Sequence, residues 1–266
     1  MPKFPFAQAA IQSSANSLLS VQTGLALWLD ADNDASFSVD SFTGRVNQWT
    51  SREGNQRVFS SVQPGQVAQS IRTTRQNAWK TGRRIVTIAQ NSNSGLYCPA
   101  FDIASLFAAN GKDHTAFFVY RTDEKVQGSA GAVSPLFYHY ISGATGHYFR
   151  FNQSDGNVFY LNASSSQYLT GSNTNYVGGE NILCLKRSLD QLTSYVNGKQ
   201  EATAASTATA IPAGSNASMY LGCSTIFGGQ SSLDLGEILM YNRALTDVER
   251  YAVENYLATK WLQGVN

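Results

Sequence analysis

The chain has 266 residues, 42% of them apolar and 12% aromatic, which is enough to bury a core without disulfide staples and too apolar for a disordered polymer. Only 14% are charged, against roughly 25% in an average globular protein, and the formal net charge is +1. No basic stripe of the kind that neutralises phosphates is visible, so nucleic acid is not expected as a partner.

Such a polar, weakly charged surface suits hydroxyl-rich partners, or contacts between protein copies where buried charge would cost much. The densest basic run, Arg72, Arg75, Lys80, Arg83 and Arg84, reads as a solvated strand edge. The three cysteines, Cys98, Cys184 and Cys223, have no C-x-x-C spacing and read as free, buried thiols of a chain made in a reducing cytoplasm.

Residues 1–22 form a leader or an arm that docks on a neighbouring subunit. Phe6, Ala10, Leu18 and Leu19 make no helical stripe, and Gln8, Gln12, Ser13, Ser14 and Asn16 break the apolar run that a secretory signal needs. No window is long and apolar enough for a membrane-spanning helix. From residue 23 to 266 a single domain is expected.

From Gly24 the pattern changes to short strands between Gly, Asn, Asp and Ser turns. Strands are expected at 24–31, 45–51, 56–61, 83–89, 94–98, 114–122, 134–142, 146–153, 157–163, 181–188, 191–197, 218–223 and 233–242. About a dozen such runs without intervening helices indicate an all-β, antiparallel two-sheet sandwich. Asp155-Gly156 and Asn197-Gly198 mark hairpin turns. A short helix is expected at 103–110, and Ala202–Ala213 reads as a loop. The chain closes differently. Thr246-Asp247-Val248-Glu249 is a capping box, followed by Val248, Tyr251, Ala252, Tyr256, Leu257 and Trp261 at helical spacing, an amphipathic C-terminal helix laid across the sandwich.

The clearest alternation lies in 134–163. Phe137, Ile141, Phe149, Phe151, Phe159 and Leu161 hold odd positions; Tyr138, Tyr140, Tyr148, Arg150, Asn152, Tyr160 and Asn162 hold even ones. Successive strand side chains point to opposite faces. One face is therefore expected to be core, and the other to show tyrosines with Arg and Asn between them. Rings beside amide and guanidinium groups can pack on sugar C–H faces and bond hydroxyls. A protein interface and packing under a loop are the other readings of the same face.

No catalytic constellation is legible. The three histidines, His114, His139 and His147, have no metal-pair spacing, and His139 has core parity. No G-x-S-x-G elbow, P-loop or G-x-G-x-x-G is present. Glycoside hydrolysis needs two carboxylates a few ångströms apart. No E-x-D-x-x-E run occurs, and Asp234, three residues from Glu237, is expected on the opposite strand face. The acidic run Asp30, Asp32 and Asp34 is the one metal candidate, of a kind that suits Ca²⁺; turn-forming Asp and Asn side chains explain it as well.

Several segments carry a resemblance. Leu25-Ala26-Leu27-Trp28-Leu29-Asp30-Ala31, followed by Gly44-Arg45-Val46-Asn47-Gln48-Trp49 and the turn Gly54-Asn55, resembles the opening of concanavalin A-like, laminin-G-like jelly rolls. Tyr195-Val196-Asn197-Gly198 and Tyr220-Leu221-Gly222 are similar to that family's later strands. Gly236-Glu237-Ile238-Leu239-Met240-Tyr241-Asn242-Arg243-Ala244-Leu245-Thr246-Asp247-Val248-Glu249-Arg250 is similar to its closing strand and helix. The resemblance spans about 24–262 and implies a jelly roll. The family hosts lectins, hydrolases, adhesins and spacers, and is common in bacterial surface proteins and in phage tail and capsid-decorating proteins, so fold alone does not fix function. The chain lacks the carboxylate motif of the hydrolase branch. These features together imply a non-enzymatic virion surface subunit, fibre or decoration, that contacts other virion proteins or copies of itself and a host glycan. A bacterial carbohydrate-binding module or adhesin, and a hydrolase with scattered acids, are the alternatives.

Overall fold

The computed structural model of the chain describes residues 19–41, 45–54, 56–60, 73–77, 82–88, 95–107, 112–121, 134–141, 145–151, 158–161, 179–205, 216–222 and 233–262. In chain order the strands are β1 (Leu25–Asp30), β2 (Phe37–Val39), β3 (Val46–Thr50), β4 (Val58–Ser60), β5 (Thr73–Asn77), β6 (Arg84–Ile88), β7 (Leu96–Asp102) and β8 (His114–Arg121). They continue with β9 (Ser134–Ile141), β10 (Thr145–Phe151), β11 (Val158–Leu161), β12 (Asn181–Ser188), β13 (Gln191–Val196), β14 (Lys199–Ala205), β15 (Asn216–Leu221) and β16 (Leu233–Tyr241). One helix, α1 (Asp247–Trp261), follows.

The described strands make two 8-stranded antiparallel sheets. The first runs β14-β13-β12-β8-β16-β6-β5, with β1 also pairing along β16; the second runs β11-β10-β9-β15-β7-β4-β3-β2. This is the two-sheet sandwich with a C-terminal helix that the turn spacing predicts. The expected hairpin at Asp155-Gly156 lies outside the described residues, yet the strands it would join, β10 and β11, pair antiparallel.

The first sheet is the middle layer, and its two faces differ. Leu29, Ile238, Phe118 and Leu183 stand opposite one another in register and are buried. Trp28, Leu239, Phe117 and Cys184 form the row on the other side. Helix α1 covers this second side: Tyr256 and Trp261 bond Glu237, and the Arg250 guanidinium lies 3.8 Å from the Tyr195 ring centroid. Ile238 and Phe118 therefore face the second sheet, which offers Trp49, Phe59, Leu96, Met219 and Leu221, all at 0% exposure. Cover on both faces explains why β16 is buried at every position and β8 at all but its last residue.

The sheets approach closely at Gly222. Its φ is +68°, and an added Cβ would lie 2.3 Å from Ile88 Cδ1. Only glycine meets both demands.

The capping box forms as the sequence predicts. Glu249 N–H donates to Thr246 Oγ1 at 3.3 Å, and Glu249 Oε2 accepts from Thr246 N–H at 2.9 Å. Arg243 clamps both Glu249 oxygens, at 2.6 and 2.9 Å. The helix's buried face differs from the expected stripe. Val248 and Tyr251 point outward, at 80% and 45% exposure. Arg250 and Glu254 turn inward instead and pair at 2.6 Å. A buried ion pair carries no apolar signal, so the stripe as read was rotated.

Three further strands differ from expectation. β2, β5 and β14 have weak alternation, and β14 covers part of the stretch read as a loop at 202–213. It is an edge strand without a buried residue, so no core face marks it. Residues 206–213 lie outside the described residues. The helix expected at 103–110 is a short 3-10 turn, Ile103–Leu106. Of the expected arm, 1–18 lies outside the described residues. Its end packs on the sandwich: Leu19 is buried, and Tyr241 Oη donates to the Val21 carbonyl at 3.0 Å. No described helix is long and apolar enough to cross a membrane.

Candidate functional site

The backbone register sets out which of the tyrosine positions stand opposite one another. Tyr148 stands opposite Tyr138, and Tyr140 opposite Gly146. Directly opposed residues of an antiparallel pair share a face. Arg150 follows Tyr148 by two along β10, beyond a register shift that sets it opposite Pro135. Tyr160 has a partner of another kind. It pairs with Phe149, while Phe159 and Leu161 pair with Arg150 and Tyr148. Asn152 and Asn162 lie outside the described residues.

The same row continues inward across the second sheet. Tyr138 pairs with Tyr220, Tyr220 with Tyr97, Tyr97 with Ser60, Ser60 with Gln48, and Gln48 with Ser38. Four adjacent strands therefore place tyrosine at one level. The Tyr97 and Tyr220 rings are 5.1 Å apart, inclined at 45°. Tyr220 is buried, Tyr97 and Ser60 are half-buried, and Gln48 and Ser38 are exposed. The opposite parity here holds the core residues Phe59, Leu96, Met219 and Leu221. The row consequently lies on the side of the second sheet turned away from the first. Sequence reading missed Tyr97, Tyr220, Ser60 and Gln48, because their partners are remote in the chain.

The acidic run does not converge. Asp30 pairs with Arg52 at 2.6 Å and Lys260 at 2.7 Å; Asp32 pairs with Arg83 at 2.6 Å, and Asp34 with Arg84 at 2.8 Å. Each carboxylate of the Ca²⁺ candidate faces its own cation, and the described residues hold no cluster of three His, Cys, Asp or Glu groups able to bind a metal ion. Arg83 and Arg84, expected on a solvated strand edge, are two of these partners.

The other carboxylate centre is Glu237, at 0% exposure. A bulge at Gly236 shifts the register between Leu235 and Glu237. Asp234 then stands opposite Arg121 and Glu237 opposite Val119, so both acids share one face, against the sequence expectation. Asp234 is held by Arg121 at 2.7 Å and Thr87 at 2.6 Å. Glu237 accepts four bonds: Trp28 Nε1 at 2.7 Å, Tyr256 Oη at 2.9 Å, Lys260 Nζ at 2.8 Å and Trp261 Nε1 at 2.7 Å. Lys260 also bridges it to Asp30, so two carboxylates do stand close together. Burial raises the Glu237 carboxyl, opposed by Lys260 and reinforced by the Asp30 charge. Both of its oxygens are fully occupied under the helix. The centre fastens β1, β16 and α1 together and leaves no face for a substrate.

No family model matches the chain, and no curated protein matches it. Solved structures do resemble it. Domain 4 of AbnA, a GH43 extracellular arabinanase from Geobacillus stearothermophilus, solved with arabinotriose, superposes with a TM-score of 0.58 at 14% identity, covering 88% of this chain and 98% of that one. The binding domain of botulinum neurotoxin DC, solved with rat synaptotagmin II, gives 0.61 at 10% identity over 88% of this chain and 52% of that one. Trypanosoma rangeli sialidase in complex with the inhibitor DANA gives 0.54 at 14% identity over 88% of this chain, which spans only 33% of the sialidase chain. These likenesses establish a shared β-sandwich fold.

Proposed function

We propose that the chain is a non-catalytic glycan-binding sandwich. The observation that carries this reading is the row of four tyrosine positions, Tyr97, Tyr220, Tyr138 and Tyr148, across adjacent strands of the second sheet. Aromatic rings give flat apolar area with a hydroxyl at the rim, which suits a sugar's apolar face and polar edge. The arabinanase domain, alike in fold over nearly its whole length, is described in complex with arabinotriose. The absence of catalysis is supported by the engagement of Asp30, Asp234 and Glu237 in ion pairs at under 6% exposure.

The test is affinity electrophoresis of the purified chain in gels cast with soluble polysaccharides. Retardation by at least one, weakened by Tyr138→Ala with Tyr148→Ala and without release of reducing ends, is expected. Unaltered mobility in every gel would refute it.

The setting we propose is a virion surface, with the chain as a fibre or decoration subunit. Its low-charge polar composition supports this, as does the resemblance of its closing strand and helix to concanavalin A-like, laminin-G-like jelly rolls, a family common in phage tail and capsid-decorating proteins as well as in bacterial surface proteins. Antibody against the chain should label purified particles; particles whose peptides never include this chain would end that reading.

A further inference from the structure

We infer that the ligand is a neutral oligosaccharide lying across the strands on Gln48, Ser60 and Tyr97, with the Tyr97 ring as its stacking platform. This rests on the glycan-binding reading and specifies its subsite and substrate class.

The inference starts from the order of residues along the row. Gln48, Ser60 and Tyr97 occupy neighbouring strands β3, β4 and β7 at one register level. Strands lie about 4.8 Å apart, so Gln48 to Tyr220 spans about 14 Å. A pyranose or furanose unit is about as long as one strand spacing. A sugar chain running perpendicular to the strands would thus meet an amide, a hydroxyl and a ring in turn. The amide both donates and accepts, and so does the hydroxyl, which matches vicinal sugar hydroxyls.

Exposure selects the ring. Tyr220 is buried, whereas Tyr97 is half-buried, as is Ser60 beside it, and Gln48 beyond is exposed. Tyr220 backs Tyr97 at 5.1 Å, which fixes the outer ring in place before any ligand arrives. A held ring loses little freedom on binding.

Charge selects the class. The row from Ser38 to Tyr148 contains no acid or base. Pleating puts Thr50, Val58 and Pro99 beside it, and these are uncharged too. Among the described residues, Arg45 precedes β3 three residues from Gln48, and Arg150 lies on β10, three strands from Tyr97. Carboxylated sugars are normally met by arginine, and among the described residues the paired positions from Gln48 to Tyr220 include none. The shared fold with a sialidase therefore does not extend to an anionic ligand.

Isothermal titration with arabinotriose, xylotriose, cellotriose and maltotriose, alongside sialyllactose and trigalacturonate, tests this. At least one neutral trisaccharide should bind more tightly than its monosaccharide. Tyr97→Ala should weaken that binding about tenfold, the worth of one aromatic stack. Tyr97→Phe should stay within about threefold of wild type, since it keeps the ring. Gln48→Ala, at an exposed position that does not threaten folding, should weaken binding measurably while leaving the melting temperature unchanged.

Binding of sialyllactose or trigalacturonate alone overturns the assignment. So does neutral binding that survives Tyr97→Ala and Gln48→Ala but is lost in Tyr138→Ala with Tyr148→Ala; glycan binding then stands and this subsite falls. No binding to any sugar removes both readings. A dimer that Tyr97→Ala converts to monomer would make the occupant a second copy and also overturn it.

Discussion

Replacing Glu237 by leucine removes the acceptor for four donors at once. Trp28 is half-buried, so its indole N–H can find water. Lys260 keeps Asp30 at 2.7 Å. Tyr256 and Trp261, at 8% and 1% exposure, are left without that acceptor. Each buried donor so orphaned costs about 1–3 kcal/mol, and breaking a buried ion pair by removing one partner costs about 3–5 kcal/mol in total. Because Lys260 retains a carboxylate, a loss of about 4 kcal/mol is expected, or about 8–16 °C in melting temperature at this size. Glu237→Gln should lose less. Its amide can face the Tyr256 hydroxyl, which can accept, leaving only the Trp28 N–H opposed by a donor. Urea unfolding followed by tryptophan fluorescence measures both. A leucine variant within about 1 kcal/mol of wild type, comparable to a surface change, would refute the view that this carboxylate fastens the helix to the sheet.

Three further outcomes are expected. Burial lowers His114 to about 4 and raises Glu254 to about 6. Between about pH 4 and 6.5 the folded chain binds fewer protons at His114 than the unfolded chain, so that contribution to stability falls on acidification; at Glu254 it binds more between about pH 4.5 and 6, so that contribution rises. His114→Phe should flatten the acid limb of a plot of urea midpoint against pH and Glu254→Gln should steepen it. Gly222→Ala, straining a φ of +68° and pressing on Ile88, should cost about 1–3 kcal/mol, partly restored by Ile88→Val when thermal melts are compared. Thr246→Ala should cost about 1 kcal/mol through loss of the cap, read by the same melts.

The sandwich and its closing helix were legible because they depend on local signals. Alternation marks strands such as β12, and Thr246 with Glu249 marks the helix start. The errors arose where a residue's face depends on something beyond its own strand. Gly236 inserts a bulge that turns Glu237 to the face of Asp234. A glycine inside a strand is a signal for such a bulge, and it was the one available clue. Tyr160 illustrates the second limit. The register between β10 and β11 sets it opposite Phe149, a pairing that alternation within one strand does not give. Tyr97 and Gln48 could not be joined to Tyr138 from sequence at all, since β3, β4, β7, β15 and β9 come together only through the sheet order. Arg250 and Glu254 misled the helix stripe because an ion pair can fill a buried position without looking apolar.

The Glu237 centre also sets an order of events during synthesis. Trp28 and Glu237 are 209 residues apart, and Lys260 must arrive before Asp30 and Glu237 are bridged. At roughly 5–20 residues per second, the ribosome needs about 10–40 s between the two. Throughout that interval β1 has no edge to pair with, since its partner β16 has not emerged. The nascent chain thus holds β1 without its β16 partner through that interval, and the join between the first sheet and the helix closes last.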